Sequence, residues 1–145
     1  MCDRMILCIS GPDAKSFLQN LVTNDVAKLK NNIIPYSLNN HIHEKEVSFH
    51  MQREINFMPH VADFFRGILI TGNFSLKNQC SSQETRNIFD DFYDEHSFIV
   101  IKEEFPSISE VINTPNAMIG GFNIDESKKR LSFCCSIDNL LKGAA

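Results

Sequence analysis

The chain has 145 residues, of which 43% are hydrophobic and 22% charged, and its formal net charge is -4. This length and composition fit one globular domain and exclude a globally disordered chain. The acidic balance gives no attraction for phosphate backbones, and no apolar run is long enough to span a membrane, so neither nucleic acid nor a membrane is an expected partner. Five cysteines without a C-x-x-C pair are typical of the reducing cytoplasm.

The first half of the chain predicts short elements separated by polar breaks. RMILCIS predicts a strand, and GPDAKSFLQNLV predicts an amphipathic helix because Pro12 suits a first helical position. IIPYSL predicts a second strand, with Pro35 at an edge or a bulge. HIHEKEVSFHMQ predicts a short helix with His43 and Glu46 on one side, and the alternation in EINFMPHV predicts a strand.

The second half is richer in strands. GILITGNFSLK is its clearest strand, and SFIVIKE, AMIGGFNID and RLSFCCSI predict three more, with NIDESKKR as a polar hairpin between the last two. SSQETRNIFDDFYDE predicts a helix capped by Ser82, and DNLLKGAA begins a helix capped by Asp138. This order predicts an α+β domain with a mixed or antiparallel sheet. The core-packing face of the long helix is expected to carry Ile88, Phe89, Phe92 and Tyr93.

The histidine-rich stretch NNHIHEKE allows three interpretations. Four of the five histidines lie between His41 and His60. His41 and His43, with Glu46 three residues further, suit general acid/base chemistry because imidazole titrates near neutrality and a carboxylate can fix its tautomer. A zinc site built from these two histidines with His50 and His60 is the second interpretation, and a solvated polar loop is the third.

Four motifs in one order carry a resemblance to a known family. IIPYSLNNHIHEKEV, INFMPHVADFFRGIL, FYDEHSFIVIKE and LSFCCSIDNLLKGAA resemble N-acetyl-gamma-glutamyl-phosphate reductase, of the semialdehyde dehydrogenase family, over residues 33–145. The resemblance implies the substrate-binding and dimerisation half of that enzyme, with helices on one face of the sheet. It also implies NADP as cofactor, a homodimer, and a reaction in arginine biosynthesis that reduces an acyl phosphate to a semialdehyde.

The resemblance assigns roles to individual residues. It implies catalytic roles for His41, His43 and Glu46, and it implies that Arg66 of the Arg-Gly-Ile-Leu motif binds an anionic substrate group. Without the resemblance, Arg66 could equally be a surface arginine that covers apolar area with its stem. The start of the closing helix would lie beside the cofactor, through Asp138, Asn139 and Lys142.

The family's Gly-rich dinucleotide loop and its Pro-Gly-Cys-Tyr nucleophile motif do not occur in the sequence, and Cys80 has no such context. Ile42 replaces the family's usual arginine. We therefore expect an incomplete fold: a fragment or remnant of the reductase that lacks the dinucleotide-binding domain and the nucleophilic cysteine. Such a chain would be inactive alone, and a separate dinucleotide-binding chain would be its natural complement.

The start of the chain carries a different resemblance. LCISGPDAKSFLQNLVTNDVAKL, within residues 4–29, resembles the opening of the folate-binding, aminomethyltransferase-like family. This divides the chain into an N-terminal segment, residues 1–32, and a semialdehyde dehydrogenase-like domain, residues 33–145. Two alternatives to the reductase function follow. One is a non-catalytic self-association module that uses the GILITGNFSLK strand, and the other is a folate-binding fragment in which Asn24 and Asp25 would contact a pterin.

Overall fold

The computed structural model describes residues 31–39, 41–125, 127 and 129–141, and the chain forms two compact units, Met1–Phe64 and Phe65–Ala145. The strand and helix predicted before residue 31 lie outside the described residues. So do Asn24 and Asp25 of the folate-like segment. The boundary between residues 32 and 33 stays a prediction.

The first unit contains a two-stranded antiparallel sheet and one helix in its described part. Strand β1 (Ile33–Pro35) pairs with β2 (His60–Ala62), and helix α1 (Ile42–Met51) lies between them in the chain. Pro35 therefore lies on an edge strand, where a missing N–H is tolerated. The strand and the short helix predicted from IIPYSL and HIHEKEVSFHMQ are both confirmed.

The strand predicted from EINFMPHV is wrong for most of its length. Residues 54–59 have no regular structure, and β2 begins only at His60. Two side chains of α1 take the place of a neighbouring strand. The backbone N–H of Ile55 donates to Ser48 Oγ at 3.0 Å, and that of Phe57 donates to Glu44 Oε2 at 3.0 Å. These contacts use the N–H groups that a strand would need for its ladder.

The second unit is built on a four-stranded mixed sheet. Its strands are β3 (Ile68–Ser75), β4 (Ile99–Ile101), β5 (Ala117–Asp125) and β6 (Arg130–Ile137), in the spatial order β3-β6-β5-β4. Strand β6 is antiparallel to both β3 and β5, whereas β4 and β5 are parallel. The α+β class and the mixed sheet predicted from the sequence are confirmed.

Helix α2 (Ser82–Tyr93) has its cap one residue earlier than predicted. Its N-cap is Ser81, whose hydroxyl accepts from the Glu84 N–H at 3.1 Å while the Glu84 carboxylate accepts from the Ser81 N–H at 2.8 Å. The prediction of Ser82 as the cap is wrong, because only Ser81 has a glutamate three residues later to complete this reciprocal pair.

The face of α2 that meets the sheet is narrower than expected. Phe89 packs against Phe122 and Phe133, with ring centroids 4.8 and 6.5 Å away. Ile88 and Phe92, predicted as core residues, are 60% and 71% exposed. They lie on a neighbouring stripe of the helix, turned away from the phenylalanines of the sheet.

The core of the second unit lies along β5 and β6. Its buried side chains come from these strands and from a short helix, α3 (Ile108–Val111): Val111, Ala117, Ile119, Leu131 and Cys134. Gly121 lies at a register shift between β5 and β6 and has a φ of +66°. Residues other than glycine adopt this backbone conformation only with strain.

The adjacent cysteines of β6 point to opposite faces, as predicted. Cys134 lies beside Thr71 of β3, and Cys135 lies beside Ile70. Cys134 is buried as predicted, whereas Cys135 is only half-buried, and its partial burial raises the pKa of the Cys135 thiol. In the part of the chain that the structure describes, no helix is long and apolar enough to cross a membrane.

Candidate functional site

His41 caps the helix that carries the other predicted catalytic residues. It has extended backbone angles, and its Nδ1 accepts from the His43 N–H at 3.2 Å. A ring nitrogen that accepts a hydrogen bond carries no proton, so a neutral His41 holds its proton on Nε2. The cap therefore fixes the tautomer of His41 without help from a carboxylate.

Aromatic rings surround His41. Its ring centroid lies 5.6 Å from that of Tyr36, 4.9 Å from that of His43 and 5.1 Å from that of Phe57. His41 is half-buried in this group, whereas His43 is exposed. The two imidazoles predicted to act together are thus adjacent.

Glu44, rather than Glu46, is the carboxylate of α1 that makes a structural contact. Glu46 is exposed on the helix, while Glu44 is half-buried and accepts from the Phe57 N–H. This role of Glu44 was not predicted from the sequence. The signal was present, since Glu44 and Ser48 are four residues apart and so lie on one side of a helix.

A hollow of about 600 Å³ lies in the first unit beside Glu44. Its lining combines two carboxylates, two amides and three apolar side chains: Leu38, Asn39, Glu44, Glu54, Asn56, Phe57 and Met58. This volume falls within the range of small-molecule sites, and acceptors dominate its polar groups. One of its two carboxylates, Glu44, already accepts from the Phe57 N–H.

The histidines do not assemble into a metal-ligand set within the described residues. No group of three or more His, Cys, Asp or Glu side chains there could hold an ion. His60 instead lies with its Nδ1 3.0 Å from the Met58 carbonyl oxygen, and the ring of His50 packs against Phe49 at 5.5 Å.

The second unit brings Arg66 together with Asp138. Arg66 Nε donates to Oδ1 at 3.2 Å and Nη2 lies 3.0 Å from Oδ2, a two-pronged ion pair. Arg66 Nη1 donates to Asn113 Oδ1 at 2.6 Å, and the Gly67 N–H donates to Asn139 Oδ1 at 2.7 Å. We call Arg66, Gly67, Asn113, Asp138 and Asn139 the Arg66–Asp138 cluster.

Asp138 is the buried centre of this cluster. It is 0% exposed, and its two oxygens also accept from the N–H groups of Asn113, Leu140 and Leu141 at 2.8, 2.9 and 3.3 Å. Burial alone would raise the pKa of Asp138, but these N–H donors and the guanidinium of Arg66 outweigh it and hold the pKa below its ordinary value. The contacts to Leu140 and Leu141 are those of the predicted cap.

The residues of the closing segment predicted to lie beside the cofactor, Asp138, Asn139 and Lys142, stay a prediction. The Asp138 carboxylate is saturated by protein donors, and the Asn139 amide oxygen accepts from Gly67. Lys142 lies outside the described residues. Within the described residues, the contacts of Asp138 and Asn139 are to the protein's own groups.

With this geometry in place, comparison with known proteins assigns the family. The family model described as semialdehyde dehydrogenase, dimerisation domain, matches residues 18–139. The chain belongs to this family of semialdehyde dehydrogenase dimerisation domains.

Curated relatives agree with the resemblance to N-acetyl-gamma-glutamyl-phosphate reductase. The mitochondrial protein arg-6 of Neurospora crassa is 47% identical over 122 residues, and the mitochondrial protein arg11 of Schizosaccharomyces pombe is 42% identical over the same length. The N-acetyl-gamma-glutamyl-phosphate reductase of Stenotrophomonas maltophilia is 39% identical over 122 residues. Each match covers 84% of this chain but only 14% of the two fungal relatives and 38% of the bacterial one.

Solved structures agree with the fold. Aspartate semialdehyde dehydrogenase II from Vibrio cholerae superposes with a TM-score of 0.66 at 16% identity, over 90% of this chain and 44% of that one. A probable aspartate-semialdehyde dehydrogenase from Pseudomonas aeruginosa gives 0.65 at 14% identity, with the same coverage. At these identities the likeness confirms the dimerisation-domain fold predicted from the motifs.

Proposed function

We propose that this chain is the substrate-side and dimerisation part of an NADP-dependent N-acetyl-gamma-glutamyl-phosphate reductase of arginine biosynthesis. The 39% identity to the bacterial reductase over 122 residues carries the proposal. Because the chain spans 38% of that relative, the dinucleotide-binding domain and the nucleophile would be supplied by other sequence. A complementing dinucleotide-binding chain is one such source.

The roles within this part follow from the chemistry of its side chains. His41, with its proton on Nε2, and the exposed His43 would exchange protons with the carbonyl oxygen as acyl phosphate and semialdehyde interconvert. Glu46, one turn from His43, would orient it when substrate is bound. Arg66, whose side chain is 20% exposed, would offer its remaining N–H groups to an anionic substrate group.

The chain alone should not reduce an acyl phosphate. The reaction requires a thiolate to carry the acyl group and NADP to exchange the hydride. Incubation of the purified chain with NADP, phosphate and N-acetylglutamate semialdehyde should leave the absorbance of the reduced cofactor at the buffer blank. A rate that vanishes in His43→Ala would contradict this expectation and would direct attention to Cys80.

A chimaera tests the reductase function itself. Residues 18–139 of this chain would replace the matching segment of the Stenotrophomonas maltophilia reductase, and NADPH-dependent turnover would be measured. We expect turnover in the chimaera and a loss of roughly 10²–10⁴-fold in His43→Ala, the usual contribution of an acid/base histidine. His50→Ala is the matched control, since both histidines are exposed on α1. A folded, NADP-binding chimaera without turnover would refute the function.

The homodimer is the second part of the proposal. The family is named for its dimerisation domain, and that name supports a second copy of this chain as its partner. A self-association module without catalysis would share this property, so the chimaera distinguishes the two functions and the oligomeric state alone does not.

We also propose a cytoplasmic location, on the basis of the cysteine usage. The fungal relatives carry the word mitochondrial in their names, so import is the competing outcome. Fractionation of cells of the source organism with an antibody against the chain would decide between the two compartments.

A further inference from the structure

Helix α1 is held to the segment that follows it by polar contacts rather than by an apolar face. Every residue of α1 is exposed or half-buried, and its half-buried positions are Glu44 and Ser48, whereas Val47 and Phe49 are exposed. Apolar burial is non-directional, but a hydrogen bond requires a particular distance and angle. The polar contacts of α1 therefore fix the position of residues 54–59 along the helix.

Two side chains of α1 anchor this segment. Ser48 Oγ accepts from the Ile55 N–H and Glu44 Oε2 accepts from the Phe57 N–H, both at 3.0 Å. Because residues 54–59 have no regular structure, these backbone N–H groups depend on the two side chains for their acceptors. Glu44 is the stronger anchor, since a hydrogen bond to an ionised acceptor is roughly twice as strong as a neutral one.

The ring of Phe57 connects the Glu44 anchor to the two imidazoles. Its centroid lies 5.1 Å from that of His41 and 6.2 Å from that of His43, with interplanar angles of 48° and 79°. Glu44 holds the Phe57 backbone, so the position of the ring beside both histidines depends on that carboxylate. Without the anchor, the Phe57 ring would be free to move away from both imidazoles.

We propose that Glu44 is a positioning residue, which acts through Phe57 to hold the imidazoles of His41 and His43 in one arrangement. The inference rests on the proposed function, in which these histidines exchange protons with the carbonyl oxygen. Proton transfer requires donor and acceptor within hydrogen-bond reach, so a displaced ring slows the reaction even when its chemistry is intact. Glu44 serves as a hydrogen-bond acceptor rather than as a charge, so glutamine at this position should replace it.

Proton NMR of the purified chain tests the positioning without any assumption about the reaction. An aromatic ring shifts the resonances of nearby protons, so Phe57→Leu shows how much the Phe57 ring contributes to the shifts of the His41 and His43 ring protons. We expect Glu44→Ala to reproduce most of this change and Glu44→Gln to stay close to the wild type. The resonances are assigned by their absence in His41→Asn and His43→Ala.

Asp63→Ala is the matched control for both measurements. The Asp63 carboxylate also accepts a backbone N–H at 3.0 Å, but the donor is Asn31 rather than Phe57. Its removal deletes the same kind of bond and the same charge from the first unit. The shifts of His41 and His43 should therefore match those of the wild type.

Turnover of the chimaera carries the comparison to the reaction. Glu44→Ala and Phe57→Leu should each lower kcat, by up to about 10²-fold, the effect of a misplaced reacting group, with KM nearly unchanged. Glu44→Gln should recover most of the loss, and Asp63→Ala should match the parent chimaera. Phe57→Leu stands in for Glu44→Ala if circular dichroism shows that the latter is misfolded.

The outcomes separate the inference from the proposed function. Unchanged histidine shifts in Glu44→Ala, a Glu44→Gln variant that behaves like Glu44→Ala, or undiminished turnover in Glu44→Ala and Phe57→Leu would each overturn the inference while the proposed function stands. A folded, NADP-binding chimaera without turnover would instead overturn the proposed function, and the inference with it.

Discussion

The Arg66–Asp138 cluster and the histidine segment of α1 are both candidate site regions, but they are constructed in opposite ways. The cluster joins residues that are distant in sequence around a fully buried carboxylate, and each Asp138 oxygen has several donors. The histidine segment has contacts over shorter sequence separations, of which Phe57 is the most distant partner, and His43 and Glu46 are exposed on it. The first arrangement is that of a structural clamp, whereas the second leaves its polar side chains open to solvent.

If the cluster is a clamp, Asp138→Ala should destabilise the chain more than any substitution in the histidine segment. It leaves the Arg66 guanidinium without its ion pair and the N–H groups of Asn113 and Leu140 without an acceptor. We expect a large fall in the urea midpoint followed by circular dichroism, with a smaller fall for Asp138→Asn, which keeps one acceptor oxygen. Asp91→Ala, exposed on α2, should change little. Equal effects at residues 91 and 138 would mean that the clamp does not contribute to stability.

A smaller loss of stability is expected from substitution of His41, the residue of the histidine segment that caps α1. His41→Ala removes the side-chain cap of α1 and should cost about 1 kcal/mol of unfolding free energy. His41→Asn should restore most of this loss, because asparagine is among the best N-caps. The free energies come from urea denaturation of the three proteins. If His41→Asn were as unstable as His41→Ala, the imidazole would stabilise α1 through its ring contacts instead.

Acid should destabilise the second unit by protonating Glu110 of α3, the short helix that precedes Asn113. Glu110 of α3 pairs with Lys102 and accepts from the Ser107 N–H, and these contacts lower its pKa from 4.5 to about 2. A lowered pKa means that the contribution to stability is present above pH 4.5 and is lost as the pH falls toward 2. Between these values Glu110→Gln should lose less stability than the wild type, as judged by thermal melts at each pH. Parallel losses in the two proteins would show that another group titrates.

The smallest effect on stability is expected at His43 and Glu46. Both side chains are exposed, so His43→Ala and Glu46→Ala should each change the unfolding free energy by less than about 0.5 kcal/mol. In the chimaera the same His43→Ala change should reduce turnover strongly. This separation of stability from activity distinguishes a catalytic histidine from a structural one. If His43→Ala destabilised the chain as much as His41→Ala does, His43 would be a structural residue.

Local patterns predicted the regular elements better than they predicted the site. Strands β3, β5 and β6 alternate or run apolar between turn signals, and the helix at residue 82 is marked by Ser81 and Glu84. The same S-x-x-E signal at Ser107 and Glu110 marks α3, which was not predicted from the sequence. Both cases depend on contacts within four residues, which a single sequence displays directly.

The parts that could not be predicted depend on distant residues. The Arg66–Asp138 pair joins positions separated by about half of the chain, and neither residue carries a local sign of the other. Residues 54–59 alternate like a strand, but side chains of α1 take their N–H groups. The resemblance assigned Arg66 to an anionic substrate group and Asp138 to the neighbourhood of the cofactor, and the structure adds that the two side chains bond to each other.

The long-range register of β3 against β6 has a consequence for the order of folding. Strands β5 and β6 are joined by a short hairpin, so they can meet early at little entropic cost. Strand β3 must find β6 across the intervening helices, with Ile68 opposite Ile137. Because non-local pairing is slow, β3 should dock last, and until it docks the N–H and C=O groups along one edge of β6 face solvent. The rate of this single step would then govern how much newly made chain escapes aggregation.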